Sequence, residues 1–215
     1  MRRRPRSRGD LSRFQEISEA GARNAATALS QMIGRPVHLD VPWAKPVPLE
    51  DVPEIAGGAR RVVCALSLKV YGGARGNLLL LFGEEQVPRL LDLLLPGGAD
   101  GRGASSAALS DLDRSALREV ANILAAAYLN AVSHLLGVSL LPSIPGLAFD
   151  MAGAVTDFLL IEQAPVSDSA LVLASEIREP RSGLRGEFFF LPDPKSLPPP
   201  PADEPPSRRG RRRKR

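Results

Sequence analysis

Residues 115–137, SALREVANILAAAYLNAVSHLLG, read as an amphipathic helix closed by a glycine. Leu117, Val120, Leu124, Ala127, Ala131 and Leu135 recur at the three-and-four spacing of a buried stripe. Upstream, Ser110 and Asp113 are spaced as a capping box and set the helix start. On the other side of the stripe stand Glu119 and Asn122. Side chains three apart on a helix have Cβ atoms about 5–6 Å from each other, so an acid and a carboxamide so placed can share one ligand. Ser115 lies one turn before Glu119, and the small Ala125 and Ala126 leave space beside the pair. Standing alone, the pair is a solvated helix face.

It does not stand alone. The pattern Ser115-x3-Glu119-x2-Asn122-x22-Pro145 recurs as Ser12-x3-Glu16-x2-Glu19-x22-Pro42, with Glu in place of Asn at one position. The copy lies on a second helix expected from about residue 11 to Gly34, with Ser12 and Gln15 as its capping box and Arg-Pro after the glycine as its stop. An extended, proline-interrupted segment follows each helix: VHLDVPWAKPVPLE in the first half, and the stretch holding Pro142 and Pro145 in the second. Two strand-like runs come next in each half, RRVVCALSLKVYG with GNLLLLFG and SALVLASEIREP with GEFFFLPD. The first pair is followed by a short helix at about 84–95, and FDMAGAV forms one or two helical turns before the second. Residues LKVYGGARGNLLLLFGE align over REPRSGLRGEFFFLPDP, each with Arg-Gly opening four large apolar residues. Such self-similarity marks two halves about a pseudo-twofold axis. The fold class is therefore α+β, internally duplicated: an antiparallel sheet with two long motif-bearing helices on one face.

Composition narrows the function. At 215 residues with 44% apolar and 24% charged residues, the chain is globular in composition. Its single cysteine, Cys64, excludes an internal disulfide framework, and two isolated histidines, His38 and His134, offer no zinc cluster. Both read as packing or surface groups. No apolar run nears the roughly 20 residues of a membrane span, and MRRRPRSRGD has no signal-peptide core, so a cytoplasmic location is expected. The net charge of +4 hides an asymmetry. Five Arg fall within 2–8 and seven basic residues within 208–215; setting those twelve of 28 aside leaves 16 basic against 24 acidic residues in the body. The tails suit polyanions in general, but no aromatic platform or recognition helix points to a specific nucleic acid. Residues 1–9 are expected to be a disordered basic tail, 10–193 one domain with pseudo-repeats at about 10–98 and 106–193 joined through the linker PGGADGRGASS, and 194–215 a disordered Pro-rich and basic tail.

The duplicated motif resembles that of the CheC, CheX and FliY phosphatases, which act on the phosphorylated chemotaxis regulator CheY. NAATALSQMIGRPV in the first half, and ALREVANILAAAYLNAVSHLLG with PSIPGLAFDM in the second, carry the resemblance. It covers about residues 11–192 and is nearest to CheC, because there are two motif copies and no appended flagellar-switch domain. It implies that Asn122 orients the water that hydrolyses the aspartyl phosphate and that Glu119 docks by pairing with the receiver's active-site lysine. Ser12, Pro42, Ser115 and Pro145 are the supporting motif positions. This chain then needs no cofactor of its own, and the Mg2+ sits on the receiver.

The residues themselves are compatible with that chemistry. Hydrolysis by in-line displacement needs chiefly a positioned water, and a carboxamide can accept from the water while donating elsewhere. Glu19 cannot: ionised, it has no donor and sets a negative charge beside an anionic phosphoryl group. The first site, Glu16 with Glu19, is therefore expected to be degenerate. The family's short helix after the last strand is also missing, since PDPKSLPPPP cannot continue one. A second function stays open beside the phosphatase: a CheC-like adapter that binds the deamidase CheD or another signalling protein, with Phe149–Val155 as the docking element.

Overall fold

The computed structural model describes residues 8–97, 109–161, 168–193 and 195–198. Residues 1–7, 194 and 199–215 of the terminal tails and most of the glycine-rich linker lie outside the described residues. The first half runs α1 (Arg8–Ile33), β1 (His38–Pro48), a 3-10 turn leading into the short α2 (Val52–Ile55), β2 (Val62–Gly72), β3 (Gly76–Gly83) and, after a second 3-10 turn, α3 (Val87–Leu94). The second half runs α4 (Asp111–Leu136), β4 (Leu140–Pro142), β5 (Gly146–Met151), α5 (Ala152–Leu160), β6 (Ser169–Glu179) and β7 (Leu184–Pro192).

The halves are interlocked. Every strand pair is antiparallel, and the sheet order is β1-β6-β7-β3-β2-β4, with β5 continuing the same edge against β2. The proline-bearing strand of each half thus pairs with the other half's hairpin. Neither half can complete its sheet alone. The pseudo-twofold axis passes between β3 and β7, at the centre of the sheet.

Helices cover both faces. On one, α1 and α4 pack side by side over Leu78, Leu80, Phe82, Phe188 and Phe190. On the other, α2 and α5 cover Leu79, Leu81, Phe189 and Leu191. A strand buried on both faces needs no polar alternation, which accounts for the unbroken runs LLLLF and FFFL.

The helix pair has a specific joint. The ring of Tyr128, fully buried, lies against Phe188 and Phe190 with centroids 4.9 and 5.9 Å away, and its hydroxyl meets Ser18 Oγ at 2.8 Å. It fits because residue 21 is glycine: a Cβ there would stand 2.6 Å from the ring. Phe14, Ile17 and Ser18 of α1 share one small cavity with Tyr128, Val132 and Leu136 of α4. Early residues of one helix meet late residues of the other, so the pair is antiparallel.

Several local expectations hold. Ser110 caps α4 in a reciprocal box with Asp113, and Gly34 and Gly137, both at positive φ, follow the ends of α1 and α4. Others are corrected. α1 begins at Arg8 with Asp10 in its first turn, so Ser12 and Gln15 are interior residues and form no capping box. The buried face of α4 continues through Ala125, Tyr128, Leu129 and Val132, while Ala127 and Ala131 are half-buried and Leu135 is 38% exposed. The cause is that α4 packs against two surfaces, the sheet below and α1 beside it. Its apolar arc therefore swings toward α1, and Ala125 belongs to the core instead of leaving space beside the motif. FDM ends β5, and the helix expected there is α5, beginning at Ala152 and running nine residues to Leu160. Its first-half counterpart α2, a single turn with proline near its start, was not expected from the sequence. Beyond the expected domain end at 193, the amides of Ser196 and Leu197 bond back to the Asp193 carbonyl, and Leu197 is buried beneath α1 and α4.

Candidate functional site

On α4, Ser115, Glu119 and Asn122 are all exposed along one stripe, which begins one turn earlier with Leu112, 63% exposed. Packing leaves them free: Leu117, Val120, Leu124 and Tyr128 carry the burial, and the motif occupies the arc facing away from both sheet and partner helix. Among the described residues, neither the Glu119 carboxylate nor the Asn122 amide has a hydrogen-bond or ion-pair partner.

The first copy differs in its surroundings. Ser12 and Glu16 are exposed on α1 and Glu19 is half-buried. Arg13 pairs with Glu16 at 2.6 Å, and Gln15 Nε2 donates to Glu19 Oε1 at 3.3 Å. Both motif acids on α1 are thus engaged within their own helix. The α1 pair flanks Ser18 at the level of the Tyr128 joint, whereas Asn122 lies about 9 Å along α4 from Tyr128.

The constant spacing to proline has a geometric origin. From Asn122 to Leu136 the helix climbs about 21 Å, and from Leu140 to Pro145 an extended chain returns about 17 Å. Since β4 and β5 lie along α4, Pro145 comes back to within about one helical turn of the level of Asn122. It falls in the break between β4 and β5, where Ser143 is clamped to β2: its amide bonds to Lys69 O at 2.8 Å and its Oγ accepts from Lys69 N at 3.0 Å. Pro42 occupies the matching place in β1, where the register with β6 shifts between Asp40 and Trp43. Each motif proline interrupts an edge strand beside its helix, the setting in which a residue without an N–H costs least.

One bordering residue escaped the sequence reading. Ile144, next to Pro145, is 90% exposed. The signal was present in Pro-Ser-Ile-Pro, because prolines on both sides prevent regular pairing of that stretch. The remaining candidates fall away from the site. Cys64 is fully buried in β2, and desolvation pushes its thiol up to about 12, which keeps it neutral. His38 and His134 are exposed and not near each other in the fold. No helix among the described residues is long and apolar enough to cross a membrane.

No family model matches the chain. It is 29% identical over 182 residues to the CheY-P phosphatase CheC of Bacillus subtilis, covering 84% of this chain and 86% of that protein. To the putative CheY-P phosphatase CheC1 of Halobacterium salinarum it is 26% identical over 191 residues, 86% of this chain and 92% of the relative. In sequence the chain is similar to the CheC phosphatases, and in fold to FliY and CheX. The crystal structure of Thermotoga maritima FliY superimposes with a TM-score of 0.67 at 20% identity, over 90% of this chain and 94% of that one. Within this CheC-like fold, the motif position on α4 holds an exposed carboxamide, Asn122, and the matching position on α1 holds a carboxylate, Glu19.

Proposed function

We propose that the chain is a phosphatase of a phosphorylated CheY-like receiver domain, acting through Glu119 and Asn122 on α4. The observation that carries this is the exposed, unpartnered acid and carboxamide one turn apart. The names of its CheC relatives support it. In this reading Glu119 pairs with the receiver's active-site lysine and holds α4 over the aspartyl phosphate. Asn122 Oδ1 accepts a hydrogen bond from a water and turns its lone pair toward phosphorus. The water's oxygen bonds to phosphorus, the bond from phosphorus to the aspartate oxygen breaks with its electron pair leaving on the carboxylate, and the water's proton departs with inorganic phosphate. A Mg2+ held by the receiver would supply charge neutralisation at the phosphoryl group, which leaves positioning to Glu119 and Asn122 of this chain.

The direct test is the decay of a labelled phospho-receiver from the same organism with and without this protein; decay that is not accelerated refutes the proposal. Glu119→Lys is expected to weaken docking at least tenfold with the helix intact, because a like charge meets the receiver's lysine on an exposed face. Titration against an acyl-phosphate-analogue-loaded receiver checks this, and unchanged affinity would remove Glu119 from the interface.

A second reading, an adapter for CheD or another signalling protein, is favoured by one observation. Phe158 and Ile161 at the end of α5 are 73% and 68% exposed, and Met151 before it is 49% exposed, on the opposite sheet face from the motif helices. The sequence-based docking element Phe149–Val155 shifts accordingly: Phe149 and Val155 pack inward, and the exposed apolar groups lie at Met151 and beyond. Phe158→Asp is expected to reduce binding of such a partner more than tenfold while leaving receiver dephosphorylation unchanged, measured by calorimetry and the decay assay together.

A further inference from the structure

The two motif copies differ at one more place. One turn before Asn122 stands Arg118; the corresponding residue on α1 is Gln15, one turn before Glu19. The Gln15 amide reaches Glu19 at 3.3 Å, which shows that side chains at these two positions of the shared helix face meet. On α4 the equivalent two positions, at the same spacing, hold Arg118 and the carboxamide Asn122.

Arg118 is exposed and, among the described residues, makes no hydrogen bond or ion pair. Its own helix offers no acid to pair with: the positions three and four away, 114, 115, 121 and 122, hold Arg, Ser, Ala and Asn. Arg114 at one of them is like-charged, an arrangement that disfavours an isolated helix. Glu119 is adjacent in sequence but about 100° round the helix, too far for a face-to-face pair. The charge at the two sites is consequently reversed. Beside the critical position α1 has a neutral amide holding a carboxylate, whereas α4 has a free cation and a neutral amide.

We propose that Arg118 contacts the non-bridging phosphoryl oxygens of the docked phospho-receiver as water attacks, resting on the phosphatase reading above. A planar guanidinium offers two parallel donors to a phosphoryl group and keeps its proton throughout. It gives its largest stabilisation when charge moves onto the equatorial oxygens, so its effect falls on turnover more than on docking. It also explains an asymmetry the carboxamide alone does not: a site built for a phosphoryl anion needs a cation, and only the α4 copy has one uncommitted.

The test is steady-state turnover of the phospho-receiver by full-length Arg118→Gln and Arg118→Lys. Gln is the residue at the equivalent α1 position, so folding is preserved, and circular dichroism verifies it. Arg118→Gln is expected to lower kcat on the order of 10- to 100-fold with KM changed less than about threefold, and Arg118→Lys to fall between it and the parent. In parallel, Arg118→Gln should bind beryllofluoride-loaded receiver within about threefold of the parent, because that group mimics the ground state. A kcat within twofold of the parent, or an effect confined to KM, overturns the assignment. If Arg118→Gln keeps its turnover while Asn122→Ala loses it, Arg118 alone is discarded; if both keep it, the water-positioning reading falls as well.

Discussion

Asn122→Ala is expected to remove nearly all acceleration of phospho-receiver decay, a loss on the order of 10² to 10³ in rate, comparable to deleting one positioning or charge-stabilising group elsewhere. Only this amide stands unpartnered at its motif position, so nothing on α1 can substitute. Glu19→Ala should leave the rate unchanged, because that carboxylate is held by Gln15 and cannot donate. Glu19→Asn asks more. If the α1 surface still docks a receiver, a second carboxamide adds a second independent site and raises the rate by up to about twofold. The missing Arg118 equivalent predicts that the gain stays small until Gln15→Arg is added. Full activity in Asn122→Ala would defeat the water-positioning assignment.

The second large effect is on stability. Tyr128→Ala is expected to destabilise the fold by about 3–5 kcal/mol, lowering Tm by on the order of 10 °C. The ring fills the space that Gly21 opens between the helices and is braced by Phe188 and Phe190, so neither side can collapse into the void. Tyr128→Phe keeps the ring and removes only the partner of the buried Ser18 hydroxyl, for about 1 kcal/mol. Thermal unfolding of both variants measures the difference. Because Tyr128 also sets how α1 and α4 lie together, Tyr128→Ala should lower receiver turnover beyond its effect on the folded fraction. An equal loss in the two variants would show that the hydroxyl, not the ring, holds the joint.

Much of the site was legible because it is periodic. Glu119 and Asn122 fall off the apolar stripe at a spacing that any α-helix turns into adjacency, and the repeat at Glu16 and Glu19 separates the motif from chance surface polarity. Failures occurred where a residue's surroundings come from elsewhere in the chain. Tyr128 and Val132 joined the buried face of α4, and Ala127, Ala131 and Leu135 left it, because a second helix lies beside α4. Ser12 looked like a cap because its spacing to Gln15 fits one, yet the helix had already begun at Arg8. Leu197 looked like tail because prolines surround it, yet a single turn folds it under the helices.

By itself the sequence determined what short-range chemistry controls: the capping box at Ser110, the glycine stops at Gly34 and Gly137, the continuous apolar runs of β3 and β7, and the duplicated motif with Glu19 where the other copy has Asn122. These follow from backbone hydrogen bonding, allowed dihedral angles and helical periodicity, which need no distant partner. Tertiary structure decided the exchange of β1 with the strand pair β4 and β5 between halves, the antiparallel seating of α1 on α4 through Gly21 and Tyr128, and hence which polar residues remain uncommitted at the surface. The physical reason is that strand partners and helix neighbours are chosen by the burial of surface contributed by both halves at once, a sum over residues roughly a hundred positions apart that no local spacing encodes.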